Sequence, residues 1–441
     1  MDSVLLYLLG VLVIVLGLAL SIALHEIGHL VPAKLFGVKV TQYMIGFGRT
    51  LFSVRRGETE YGLKAIPLGG YISMIGMFPP ARPGGKMRNA STGFFNTMVQ
   101  EARESSEKSV GADEQRAFYR LPIWKRIVVM LGGPFMNLVL AIVFYAIVLM
   151  GFGIAQTTTT IGSVSECVLP ATSSRTTCEA SDPKAPGAAA GILPGDRVIS
   201  IDGTEITTWD QATAMIRESP GEPLAMVVER DGEEVAISAT PLLTERYVTD
   251  ERGTILEDAA GNPRTQEVGF LGIGPTAELV QQPASAVLPM VGENVAAVTG
   301  IILNLPQRLI DVANAAFGPG ERDPNGPVSV VGVGRLAGEI ASLEEVPVAS
   351  RVASLLGVLA SLNVALLVFN LVPLMPLDGG HVAGALWEGL RRAFAKVFRR
   401  RDPGPVDTAK LMPLTFAVVI LLGAMSVLLI YADIVKPISI L

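Results

Sequence analysis

The chain has 441 residues, half of them hydrophobic, with a mean hydropathy of +0.46 and a formal net charge of −6. So apolar a composition excludes an ordinary soluble protein, and no basic run points to nucleic acid.

A bilayer span needs about 20 consecutive apolar residues. Four segments qualify, at roughly 4–24, 127–152, 352–372 and 412–432. The chain starts MDSV, without the Lys or Arg that opens a signal peptide, so the first segment reads as a retained helix. It runs into His25-Glu26-Ile27-Gly28-His29, an H-E-x-x-H pattern. Residues four apart share a helix face, so His25 and His29 can meet one metal ion, and neutral imidazoles suit Zn2+. Glu26 is then placed to take a proton from metal-activated water. Ionisable groups at membrane depth normally face an interior or a wet cavity.

Residues 37–124 alternate short β-like runs, VTQYMIGFG, TLFSVRR and ETEYGLKAIPLGGYISMIGM, with Gly and Pro. A polar stretch at 79–120 reads as a mobile loop with a helical part near EARESSEKS. The second span, 125–152, opens with GGPFMN, where Gly132, Gly133 and Asn137 suit close helix packing. Residues 160–241 resemble a PDZ domain of the bacterial protease-associated kind, carried by GILPGDRVISIDG, an amphipathic helix WDQATAMIRES and a hairpin turn at Asp231-Gly232. That resemblance implies a groove near Gly191, Ile192 and Leu193 for peptide C-termini or extended peptides. Residues 242–351 hold an amphipathic stretch over 290–316, which lies on the membrane face or packs on the PDZ domain. The third span, with its PLDGG end, covers 352–384. A basic loop, 385–411, leads to the last span at 412–434.

A zinc site needs a third ligand, and the only other histidine is His381, in NLVPLMPLDGGH. Asp378 is the one carboxylate there. Pro373 and Pro376 break the helix, and Gly379-Gly380 permit a turn that could aim Asp378 inward. Residues 37–124 carry 12 Lys/Arg and residues 385–411 carry seven, which places both in the cytoplasm. HEIGH, GGPFMN and Asp378 then share one depth on the cytoplasmic side. Both cysteines, Cys167 and Cys178, fall in the segment left outside, where a disulfide is expected.

Together these motifs resemble the site-2 protease family, zinc metalloproteases that cut within membranes. The resemblance implies His25, His29 and Asp378 as zinc ligands, Glu26 as catalytic base and Asn370 as a group that holds substrate or supports the transition state. It makes residues 66–77, with Gly69, Gly70, Tyr71 and Ile72, a re-entrant β-loop that pairs with unwound substrate. The fold expected is a polytopic α-helical membrane protein of about four spans (the first within 1–36), with a membrane-associated β-loop and an extracytoplasmic α+β PDZ domain. It would sit in the plasma membrane and cleave single-span substrates, with anti-sigma factors the class implied.

Overall fold

The computed structural model describes residues 2–78, 111–169, 173, 175, 177–179, 181–248, 256, 263–320, 322–323 and 326–438. The helical stretch expected near EARESSEKS lies outside them. The chain divides into a mostly helical unit, Met1–Phe152 with Gln282–Leu441, and a β unit, Gly153–Gln281.

In the helical unit, α1 (Asp2–Leu35) carries Leu5, Leu9, Leu12, Leu16 and Leu20 exposed, as a lipid-facing surface requires. The helix does not stop where the apolar run stops. It continues through HEIGH and closes at Gly37, whose φ of +81° is open to glycine at low cost, with Val38 N–H donating to the Ala33 carbonyl.

β1 (Val40–Arg56) and β2 (Thr59–Met74) form one long antiparallel hairpin with several register shifts. The runs VTQYMIGFG and TLFSVRR are therefore a single strand. Val40, Tyr43 and Met74 of its near end are buried with Leu30 and Ala33 of α1, while Phe47, Leu51 and Phe52 at the far end are exposed.

α2 (Ile123–Ala146) is prolonged by a π turn to Phe152. It meets α1 backbone to backbone: a Cβ on Gly28 would lie 2.2 Å from the Gly132 carbonyl oxygen. Small residues make that approach possible. α4 (Val287–Leu303) and α5 (Leu305–Phe317) replace the single amphipathic helix expected over 290–316, with Asn304 and Pro306 at the break. Asn294 of α4 donates to Ser361 of α7 (Val348–Asn370), and Val312 and Ala316 of α5 pack on Leu429 and Ala432 of α9 (Met412–Val435). Ala284–Leu303 thus makes a fifth helix long and apolar enough to cross a membrane, against four expected. Glu293 and Asn294 interrupt its apolar run and hid it.

α6 (Val330–Ser342) packs on α1, with Gly338 against the Tyr7 ring. α7 ends at Asn370, and α8 (Asp378–Val397) starts at Asp378 itself. Gly379 and Gly380 are not the turn but the first turn of α8. A Cβ on Gly379 would come 2.4 Å from the Leu371 and Val372 carbonyl oxygens, so these glycines let α8 sit against the connecting loop.

The β unit is wider than 160–241. β3 (Ile154–Val164) pairs with β10 (Ile273–Val280), and the sheet runs β10-β3-β4-β6-β7 through β4 (Arg197–Ile201), β6 (Leu224–Arg230) and β7 (Glu233–Ala239), with β5 (Thr204–Glu205) on β4. β8 (Leu242–Tyr247) and β9 (Thr265–Phe270) form a separate ribbon. α3 (Trp209–Glu218) starts in a capping box of Thr208 and Gln211, and its buried Ala212 and Ile216 close the core over Ile161, Val198, Ile201 and Val228. Asp231 and Gly232 turn the β6–β7 hairpin at positive φ. Cys167 and Cys178 are disulfide-bonded, Cα atoms 5.9 Å apart.

Candidate active site

His25 and His29 stand one turn apart on α1, both buried. Their Nε2 atoms are 3.2 Å apart. Asp378, at the start of α8, brings Oδ2 to 3.4 Å from His25 Nε2 and 3.3 Å from His29 Nε2. These three residues form a group able to hold a metal ion, and His381 is not in it. His381 lines a small cavity with Arg126 and Glu388 instead.

The arrangement fits zinc on its own features. Asp378 Oδ2 is buried and accepts no hydrogen bond, so an acceptor faces two ring nitrogens with nothing to satisfy it. Two imidazoles and a carboxylate are a zinc donor set. Metal bonds of roughly 2.0–2.1 Å in a tetrahedron would separate ligand atoms by about 3.3–3.4 Å, close to the spacings found. The space is also guarded from α2. A Cβ on Gly133 would fall 2.2 Å from His29 Nε2 and 2.6 Å from His25 Nε2, so only glycine leaves the place between the rings open.

Both imidazoles are held from behind. His29 Nδ1 lies 2.8 Å from the Val129 carbonyl oxygen, so Nδ1 carries the proton and donates, leaving the Nε2 lone pair for a metal. His25 Nδ1 meets the Asn137 carboxamide at 3.1 Å. With His25 Nε2 turned to the ligand group, Nδ1 must donate, which requires the amide oxygen there. Amide oxygen and nitrogen exchange places by a half-turn of the carboxamide, and the turn that presents Oδ1 to the ring makes this bond. Asn137 is wholly buried and belongs to the site as an orienting group, not only to helix packing. A polar amide deep in an apolar span was the available signal.

Glu26 is buried on the same turn, facing β2. A Cβ on Gly70 would come 2.9 Å from Glu26 Cγ, and the Ile72 backbone N–H points toward the carboxylate. Gly70, Tyr71 and Ile72 thus lie beside Glu26, while Gly69 (φ +146°) faces the Phe47 ring across the hairpin. Asn370 is the last residue of α7, partly exposed, and makes no side-chain hydrogen bond among the described residues. The asparagine that α7 does bury is Asn363, whose Nδ2 donates to Ser21 Oγ at 2.9 Å, one turn before His25.

Gly191, Ile192 and Leu193 belong to the β unit. Ile192 is a core residue and Leu193 is exposed. The three backbone N–H groups are all engaged, by the Ala188 carbonyl, the Gly187 carbonyl and Asp196 Oδ2. Asp196 is buried and accepts from both Arg230 Nε and a terminal guanidinium nitrogen, each at 2.7 Å. Those bonds hold its carboxyl below the usual carboxylate range.

Residues 13–400 match the family model described as Peptidase family M50. The chain is 32% identical over 434 residues to the zinc metalloprotease Rip1 of Mycobacterium tuberculosis (strain ATCC 25618 / H37Rv), covering 97% of this chain and 98% of the relative. It is 32% identical to Rip1 of Mycolicibacterium smegmatis over 449 residues, 98% of each. To the metalloprotease MmpA of Caulobacter vibrioides it is 27% identical over 384 residues, 85% of each.

Proposed function

The chain belongs to peptidase family M50, the site-2 proteases, and is a multi-pass membrane zinc metalloendopeptidase; from that premise we propose that it cuts the transmembrane segments of single-span regulatory proteins, anti-sigma factors foremost. The observation that carries the reading is the convergence of His25, His29 and Asp378 on one point with Glu26 on the same helical turn.

His25, His29 and Asp378 would hold the zinc ion. Zinc, when bound, polarises the scissile carbonyl and brings the pKa of water toward 7. Glu26 takes the proton from the attacking water and returns it to the leaving amide nitrogen as the C–N bond breaks. A helical peptide in lipid is internally hydrogen-bonded, so it must be opened before it can be cut. The β2 segment with Gly69, Gly70, Tyr71 and Ile72 receives the opened strand by edge pairing next to Glu26. Asn370, whose carboxamide is uncommitted among the described residues, donates to the developing oxyanion, a contribution of about 3 kcal/mol. The active site faces the cytoplasmic side, supported by the Lys/Arg content of residues 37–124 and 385–411. The β unit is an extracytoplasmic PDZ domain, supported by the Cys167–Cys178 disulfide. It meets substrate through the exposed Leu193 side chain.

The test is Glu26→Gln in the full chain. It should bind zinc as the wild type does and leave a single-span anti-sigma segment uncut. Cleavage near the wild-type rate would remove Glu26 from the role.

A further inference from the structure

α8 has one face that the helical unit buries and one that it does not. Glu388 on the buried face takes two bonds from Arg126 of α2, at 2.5 and 3.1 Å, and fixes the helix there. On the other face Leu386, Trp387, Leu390, Phe394, Val397 and Phe398 are each more than half exposed. At 3.6 residues per turn the five of these within α8 fall within an arc of about 100°, and Phe398, just past its end, extends the stripe. Such a continuous apolar stripe marks an interaction surface.

Cations rim it. A groove of about 410 Å³ is lined on one hand by the apolar Trp387, Leu390 and Phe394 and on the other by Arg391, Arg400 and Arg401. Among the described residues no carboxylate lies within ion-pair distance of those three arginines, although Arg392 next to them is paired with Glu388 and Asp402. We propose that this face binds an anionic phospholipid, its acyl chains on the apolar side and its phosphate against Arg391, Arg400 and Arg401.

Two observations and the chemistry of the arginines favour a lipid. α8 is tethered at both ends to membrane-spanning helices: seven residues separate it from Asn370 of α7 and fourteen from Met412 of α9. It is therefore held at the bilayer surface, where a helix apolar on one side and basic at the edge lies in the interfacial plane. At the neighbouring start of α2, Trp124 is exposed and Lys125 sits over the Trp124 and Phe36 rings, which continues an aromatic and basic belt. Guanidinium groups match phosphate in shape and charge. The inference needs only that the helical unit spans a bilayer, not that the enzyme cuts any given substrate. Asp378 begins this same helix, so a metal ligand and the lipid surface share one rigid rod.

The chain has three tryptophans. Trp124→Phe with Trp209→Phe leaves Trp387 as the sole reporter in the full-length protein. It would be placed in phosphatidylcholine bilayers containing about one tenth of dibrominated phosphatidylglycerol, or of dibrominated phosphatidylcholine. Bromine quenches an indole that it touches. The anionic lipid should quench Trp387 at least about threefold more strongly, and Arg391→Gln/Arg400→Gln/Arg401→Gln should erase the difference. Millimolar inorganic phosphate should not compete. Equal quenching by both lipids, no quenching by either, or loss of the preference with phosphate would overturn the proposal. The second measurement uses the unaltered tryptophans: wild type extracted from mixed bilayers should retain phosphatidylglycerol over phosphatidylcholine, and the triple Gln variant should not.

Discussion

Two buried carboxylate clusters, one in each unit, are met on opposite terms. In the β unit, the buried Asp196 carboxylate is fully met: Arg230 bonds both oxygens, the Leu193 N–H bonds one of them, and Arg230 also reaches the Gly191 carbonyl. In the helical unit, His25, His29 and Asp378 turn three acceptor atoms toward one another, and Asp378 Oδ2 has no donor. A buried unsatisfied acceptor costs about 1–3 kcal/mol. The first arrangement stabilises a fold. The second is tolerated because the surrounding helices over-determine it, and its deficit is what a cation removes. Satisfaction of buried polar atoms separates the structural cluster from the functional one.

The comparison breaks first at Gly133. Gly133→Val would fill the space between the two imidazoles, within 2.2–2.6 Å of their Nε2 atoms as placed. Zinc binding and peptidase activity should both vanish, read by metal analysis of the purified protein, while far-ultraviolet dichroism stays near wild type. Retained zinc would show that α2 can yield and that the glycine serves packing alone.

Next comes the satisfied cluster. Asp196→Asn leaves Arg230 facing a neutral group and should cost the β unit about 3 kcal/mol. The sign with pH is fixed by the carboxyl's lowered pKa. The stabilisation is complete above the ordinary Asp pKa of about 3.9 and is lost as pH falls through the lower folded value. Trp209 fluorescence, in a Trp124→Phe/Trp387→Phe background, should therefore report unfolding that steepens below about pH 4 in the parent. In Asp196→Asn that component should be absent. An unchanged acid limb would place the control elsewhere.

What could be read beforehand divides along the same line. H-E-x-x-H, Asp378 and the cysteine pair were legible because local spacing or scarcity singles them out. The Gly133 cradle was not, since its meaning depends on α1 and α2 touching backbone to backbone. The α4–α5 pair was read as one helix because amphipathic period alone does not register a break at Asn304. The full extent of the β unit is not legible locally, because β3 finds its partner β10 more than a hundred residues away, beyond the reach of any local pattern. α8 straddles the third span expected over 352–384 and the basic loop expected over 385–411, because a count of charges does not register its apolar period.

The finest distinction concerns Asn137, which either merely packs or orients His25. Asn137→Leu keeps the branched four-atom side-chain skeleton and removes the acceptor for His25 Nδ1–H, so the ring loses the bond that fixes its tautomer. Loss of such a supporting bond weakens metal binding by about 10- to 100-fold. Chelator competition should show that drop, and the melting temperature of the metal-free protein should stay within a few degrees of wild type, because a single side-chain hydrogen bond contributes only about 1 kcal/mol. Asn137→Asp restores an acceptor of the same length and should recover the affinity, whereas a group that only fills space would tolerate Leu better than a buried charge. If Leu binds zinc as tightly as wild type and Asp does not, Asn137 is packing. The imidazole is then held by α1 alone.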